Sequence, residues 1–342
     1  MYQPLLSLFK KGYIIPIAWL GKAKRMGMTR IFFATDVHGS ERTFMKFVNC
    51  AKFYKANVLI MGGDITGKLV VPLIKQPDNS FVASFLGIDR RVKDKNELDE
   101  LEKTIRFTGY YPYRTTHEEM AEIGSDEKKI EALFQKLMIE GLNRWLSIAE
   151  ERLKAAKIKC YITPGNDDGL HIDQCFKGYE YITNPEDQVV QIDDHHEMIS
   201  TGYSNITPFE APRELPEDKL YEKIEVMACK VQKMQNCTFN THCPPINSEL
   251  DTCQELDATL KPVFRSGQPS MIGAGSTSVR KAIEKFQPLL GLHGHIHECR
   301  SAAKIGRTLC LNPGSQYSEG ILNGVIVNID EKSVKSHQFT SG

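Results

Sequence analysis

From Arg30 onward the chain alternates between short, almost wholly apolar runs and abrupt polar stops. RIFFAT (30–35) stops at DVHGS, NVLIMGG (57–63) at DITGK, KCYITPG (159–165) at NDDG, CTFNT (237–241) at HCPP and PLLGLHG (288–294) at HIH. Runs of this length, rich in β-branched and aromatic residues, predict buried strands. Helical material separates several of them, and strand, crossover and strand again predict a parallel or mixed sheet covered by helices. Ligands of such sheets gather beyond the strand ends, so the five polar stops are expected at one place.

The interval from Gly67 to Lys157 breaks this rhythm. VVPLIK and SFVASFLG pair as a hairpin around QPDN, followed by a charged segment from Lys93 to Arg106 and the aromatic loop TGYYPYRTTHEEM. A long helix then follows, with Ser125 as N-cap, Asp126 and Glu127 in its first turn, and Ile130, Leu133, Phe134, Leu137, Met138, Leu142, Trp145 and Leu153 at helical spacing. Further on, QVVQI and EMISTGYS flank the turn DDHH, and two more hairpins turn at Ile305-Gly306 and Asp330-Glu331. With no internal repeat and no low-complexity linker, residues 28–342 are expected to form one domain carrying a cap insertion at about 68–157.

Residues 1–27 stand apart. Their apolar stretch from Tyr13 to Leu20 is interrupted by Pro16 and flanked by Lys10, Lys11, Lys22, Lys24 and Arg25. It is far below the ~20 residues of a membrane span, so no span is expected. The segment reads as a peripheral extension, with Met26 or Met28 a cleaner start of the fold; the alternative is a basic, surface-lying anchor.

Composition narrows the function classes. The formal net charge is zero, which argues against a long nucleic acid as partner. Nine cysteines, without a C-x-x-C pair, suit reduced thiols and a cytoplasmic location better than a disulfide frame or a zinc ribbon.

The polar stops carry metal-ligand chemistry. Asp36 and His38 are two apart, as are His295 and His297, while Asp64, Asn166 and His242 each follow a strand. Imidazole, carboxylate and one amide oxygen from separate loops suit two divalent transition-metal ions such as Mn, Fe or Zn. Two ions about 3.5–4 Å apart need a bridging carboxylate.

DVH, GGD, GND, HCPP and GHIH, in that order, together with NPGS at 312–315, resemble the motifs of the calcineurin-like metallophosphoesterases. The resemblance spans about Thr29 to Ser315 and implies an α/β fold, a four-layer α/β/β/α sandwich of two mixed sheets, with the insertion as a helical and hairpin cap. It implies that Asp36, His38 and His297 hold one ion, that Asn166, His242 and His295 hold the other, and that Asp64 bridges. It also implies a phosphate-ester substrate attacked by a water that the two ions share, without a phosphoenzyme. A phosphodiester, such as a nucleotide, is the first expectation; the alternatives are a monoester or a non-catalytic binding scaffold.

One position departs from the family pattern. Where the family has a histidine after the asparagine, this chain has Asp167, and Asp168 matches the acidic residue that orients that histidine. Asp167 is expected to join Asn166 and His242 as a catalytic residue; a role as general acid requires a raised pKa, so weaker leaving-group assistance and a preference for good leaving groups, or for esters that carry their own acid, are expected.

Four other features admit both a functional and a structural explanation. His293 either reaches the substrate or ends a strand. His195 and His196, among Asp193, Asp194 and Glu197, read as a solvated turn rather than a metal site, because adjacent strand residues face opposite ways. GAGS (273–276), ahead of a helix starting near Thr277, is either a phosphate cradle or a capped loop. Tyr110, Tyr111 and Tyr113, with Arg106 and Arg114, either form a lid that stacks on a base or pack against the insertion's helix.

Overall fold

A computed structural model describes residues 27–342, so the expectations for the N-terminal extension fall outside the described residues. In chain order these form β1 (Thr29–Ala34), α1 (Glu41–Phe53), β2 (Val58–Met61), β3 (Val70–Lys75), β4 (Phe81–Phe85), β5 (Ile88–Val92), α2 (Lys95–Phe107), β6 (Tyr111–Thr115), α3 (His117–Gly124) and α4 (Glu127–Ala156). There follow β7 (Lys159–Ile162), β8 (Ile182–Thr183), β9 (Val189–Gln191), β10 (Glu197–Thr201), α5 (Glu217–Ala228), β11 (Cys237–Thr241), α6 (Thr277–Phe286) and β12 (Leu290–Leu292). The chain closes with β13 (Ser301–Ile305), β14 (Thr308–Asn312), β15 (Asn323–Asp330) and β16 (Ser333–Ser341).

Two six-stranded mixed sheets result, in the orders β16-β15-β1-β2-β7-β8 and β13-β14-β12-β11-β10-β9. In the first, β1, β2, β7 and β8 are parallel, β15 runs antiparallel to β1, and β16 antiparallel to β15. In the second, β10, β11, β12 and β14 are parallel, with antiparallel β9 and β13 at the edges.

The apolar runs are continuous because both faces of each sheet are covered. Successive side chains of a strand point to opposite faces. Accordingly Ile31, Phe33, Val58 and Ile60 meet Met198, Leu290, Leu292 and Leu311 between the sheets. Phe32, Ala34, Leu59 and Met61 instead face Phe44 and Phe47 of α1 and Trp145 and Leu146 of α4. On the far side, Ile199 and Phe239 pack against Leu220 and Ile224 of α5 and Val279 and Ile283 of α6. Helix, sheet, sheet and helix thus stack as four layers. Each buried phenylalanine is worth about 3–5 kcal/mol against alanine. No helix among the described residues is long and apolar enough to cross a membrane.

The segment after Asp64 builds the four-stranded sheet β5-β4-β3-β6. Val71, Leu73, Ala83, Phe85, Leu98, Leu101 and Ile105 give it an apolar cluster of its own. Helix α4 leaves this segment halfway along, since Leu142, Trp145, Leu146, Ala149 and Leu153 belong to the layer covering the first sheet. Its N-cap is Asp126, whose carboxylate accepts from the Lys128 N–H; Ser125, the residue expected there, ends α3 instead. The aromatic stretch is not a loop but β6, paired in parallel with β3.

Candidate metal centre

The parallel strands of both sheets point their C-terminal ends to one edge, and all seven expected ligands stand there. The turns that hold them are tight. Asp36, His38, Asp64 and His295 adopt φ of 54°, 37°, 48° and 66°, a left-handed region unusual for residues other than glycine. Such conformations persist where surrounding bonds over-determine them and cluster at functional sites. Here the Asp36 N–H donates to the Gly63 carbonyl (3.0 Å), that of His38 to Asp64 (2.9 Å) and that of Gly39 to Ile65 (2.8 Å), so the loops after β1 and β2 are laced together.

The donor atoms form two adjoining groups, Asp36 with His38 and His297, and Asp64 with His242 and His295, while a third set, His38 with Asp64 and Asp167, overlaps both. In the first, Nε2 of His297 is 3.0 Å from Nε2 of His38 and 3.3 Å from Oδ1 of Asp36. In the second, Oδ1 of Asn166 lies 3.0 Å from Nε2 of His242 and 2.9 Å from Nδ1 of His295. Asp64 stands between the groups, with Oδ2 3.6 Å from Nε2 of His38 and 3.4 Å from Nε2 of His242.

These spacings fit metal ligation, because donors about 2.1 Å from a common ion lie about 3–3.5 Å from one another. The charge balance asks for cations as well. Asp36 and Asp64 are 1% and 2% exposed, and among the described residues no lysine or arginine pairs with either. Buried carboxylates need a cation or a proton. Burial accordingly pushes Asp64 up to about 6, against the pull of His242. Burial also opposes charge on the His242 ring, yet Asp64 and then Asp36 outweigh it and push His242 up to about 10. Burial, reinforced by the charge on His242, brings His295 down to about 3. The edge-on imidazoles and the buried carboxylates stand where divalent ions fit.

A second ring of contacts orients the ligands, as at metal sites generally. Nδ1 of His242 is 2.9 Å from the Gly62 carbonyl, which leaves Nε2 facing Asn166 and Asp64. Thr35 Oγ1 donates to Asp36 Oδ2 (2.6 Å), and Ser315 Oγ donates to the Asp36 carbonyl (2.6 Å). Asn312, the first residue of NPGS, donates to the carbonyls of Gly294 and Ile296 and so fixes the turn that carries His295. Two glycines allow the close approach: a Cβ at Gly165 would overlap the main-chain nitrogen and Oδ1 of Asp64, and one at Gly294 would overlap Thr35 Oγ1 and Asp36 Oδ2.

Asp168 braces the loops that carry Asp64 and Asn166. It is fully buried and accepts from the N–H groups of Ile65 (2.9 Å), Thr66 (2.8 Å) and Gly165 (2.7 Å) and from the Thr66 hydroxyl (2.6 Å). Arg213, which the sequence did not single out, locks the same loop. It is 1% exposed; Nε donates to the Asp168 carbonyl (2.8 Å), Nη2 to the Gly169 carbonyl (3.2 Å) and to Asp173 (2.7 Å), and its N–H to the Asn166 carbonyl (3.1 Å).

Asp167 adjoins the ligand groups. Its N–H donates to Asp64 Oδ1 (3.0 Å), and its carboxylate pairs with the Lys68 ammonium, with Oδ2 3.8 Å from Nδ1 of His38. It sits as the counter-ion of a lysine, not as an isolated acid. Tyr317, also unforeseen, lays its ring 4.6 Å from that of His38.

The remaining features are structural. His293 is buried, its Nδ1 held by the hydroxyl and carbonyl of Thr241. His195 pairs with Glu331, but His196 is no solvated turn residue: it is buried between Asp193 and the Asp330 carbonyl. The amide groups after GAGS are taken, because the Glu217 carboxylate accepts from the N–H groups of Thr277 (2.8 Å) and Ser278 (2.9 Å). The Tyr111 hydroxyl accepts from the Gly67 N–H, the Tyr113 hydroxyl donates to Glu119, Arg114 pairs with Asp99 and Glu102, and Arg106 pairs with Glu41 and Glu102. Tyr110 packs edge-on against Phe85.

Over 166 residues the chain is 31% identical to the uncharacterised protein MJ1162 of Methanocaldococcus jannaschii, covering 47% of this chain and 67% of that protein. Among solved structures, one chain superposes with a TM-score of 0.55 at 15% identity, over 92% of this chain and 99% of its own, and shares the fold. TT1561 of Thermus thermophilus superposes at 0.48 with 12% identity, over 92% of this chain and 99% of its own. No family model matches the chain. With five ordered motifs gathered at one edge of an α/β/β/α sandwich, the chain belongs to the family of MJ1162 and has the fold of the calcineurin-like metallophosphoesterases.

Proposed function

We propose that the protein hydrolyses phosphate esters with two divalent transition-metal ions, manganese, iron or zinc, and that its preferred substrates are phosphodiesters, nucleotides among them. Asp36, His38 and His297 would hold one ion, Asn166, His242 and His295 the other, with Asp64 common to both. The observation that carries this is the position of Asp64, whose Oδ2 is 3.6 Å from a histidine of one group and 3.4 Å from a histidine of the other. Bound there, such ions supply Lewis acidity, lower the pKa of a shared water and offset charge on the phosphate.

The chain's own part is positioning. Asn166 is a neutral ligand, so the seven residues bring only two carboxylate charges to the cluster, and positive charge remains for an anionic substrate. Strained turns, braced by Asp168 and Arg213, hold the ligands in place before substrate arrives. The Lys68 amine at the site is already balanced by Asp167, which favours the single charge of a diester over the double charge of a monoester. The nine cysteines, all free thiols, support a cytoplasmic, reducing location.

The test is a panel of cyclic and linear phosphodiesters, nucleotides and monoesters assayed with manganese, iron and zinc. Diester turnover above monoester turnover is expected. A folded protein that carries two ions and turns over none of the esters would overturn the proposal.

A further inference from the structure

Resting on the phosphoesterase reading, we infer that Lys68 is the side chain that grips the substrate's phosphate, and that Asp167 acts through it as a positioning residue. An unpaired carboxylate at the place of Asp167 would repel a phosphate held by the neighbouring ligands. It is not unpaired. Lys68 closes on it and cancels its charge, and an ammonium has three N–H donors, so two remain after one is given to Asp167. The Lys68 side chain is 54% exposed and that of Asp167 21%, so the carboxylate is partly sheltered while the amine stays open to an incoming ligand.

The pair is anchored to the centre on both sides. Asp167 bonds through its N–H to the bridging carboxylate of Asp64, and its Oδ2 is 3.8 Å from Nδ1 of His38. Lys68 follows a stretch whose main chain is pinned at Thr66 by Asp168 and at Gly67 by the Tyr111 hydroxyl (2.9 Å). A surface ion pair alone contributes little to stability, whereas a lysine aimed by a carboxylate beside two ligand groups is placed to bind an anion. Since Lys68 begins the cap segment, that segment would supply a substrate contact directly.

The experiment compares wild-type protein with Lys68→Met, Lys68→Arg, Asp167→Asn and the double variant Lys68→Met/Asp167→Asn, all loaded with manganese. Binding of inorganic phosphate is measured by calorimetry beside metal content, and kcat and KM for an aryl phosphodiester are measured in parallel. Loss of Lys68 should weaken phosphate binding and raise KM about tenfold or more, at unchanged metal content. Lys68→Arg should restore most of the binding. Asp167→Asn should weaken it less than Lys68→Met does, and the double variant should be no worse than Lys68→Met alone, because Asp167 acts through the amine. Phosphate binding within twofold of wild type in a folded, metal-loaded Lys68→Met protein would overturn the inference, as would additive losses in the double variant. A wild-type protein that binds phosphate but hydrolyses no ester would instead overturn the phosphoesterase reading and leave Lys68 to be judged on binding alone.

Discussion

The carboxylate of Asp168 accepts the main-chain N–H of Thr66 at 2.8 Å, which ties the loop after β7 to the loop after β2. Those loops carry Asn166 and Asp64, so one buried carboxylate sets the distance between a proposed ligand of one metal position and the proposed bridge. Asp168→Asn keeps the shape but replaces one acceptor oxygen by a donor that faces N–H groups. We expect a loss of about 2–3 kcal/mol of stability and of about 10–100-fold in metal affinity, read by denaturant unfolding and metal titration. Unchanged affinity would show that the brace is not needed by the site.

Arg213 supports the same loop from behind through carbonyl oxygens. Arg213→Met leaves the Asp168 and Gly169 carbonyls without their buried partner. A cost of about 3 kcal/mol is expected, measured as a lower melting temperature. Its effect should not add to that of Asp168→Asn, because both act on residues 165–169.

The glycine before Asn166 is a steric requirement. In Gly165→Ala the new methyl group meets the backbone and carboxylate of Asp64, which must shift. The protein should remain folded, since the layers beneath are untouched, but bind fewer metal ions. Two ions bound per chain in the alanine variant would contradict the packing described.

In the metal-free protein His242 stays protonated up to about pH 10, because Asp64 and Asp36 overcome the effect of burial. Its folded pKa lies above the ordinary 6.5, so the stability it contributes is complete below pH 6.5 and is lost as pH rises toward 10. A metal at Nε2 displaces that proton. The melting temperature of the metal-free protein should therefore fall across this window while metal affinity rises. At pH 7, calorimetry in buffers of different ionisation enthalpy should detect proton release on metal binding.

The residues gathered at the candidate site were legible because each follows an apolar run that ends abruptly, and four of them come as spaced pairs, Asp36 with His38 and His295 with His297. The layered sheets were legible for the same reason, since runs such as RIFFAT are apolar on both faces. Lys68, Arg213 and Tyr317 were not legible: each is a lone residue with no periodicity to mark it, and each meets a side chain from a distant part of the sequence, Asp167, Asp173 and His38 respectively. The brace at Asp168 was not legible either, because its acceptor oxygens are filled by the Thr66 hydroxyl and by main-chain groups that no motif lists. GAGS has the composition of an anion cradle, but its anion is Glu217, brought from 60 residues away by α5 packing on α6.

The most direct test of the central claim is anomalous diffraction from crystals of the manganese-loaded protein. We predict two peaks about 3.5–4 Å apart, one among Asp36, His38 and His297 and one among Asn166, His242 and His295, with the Asp64 carboxylate between them. A single peak, or two peaks that Asp64 does not join, would contradict the account.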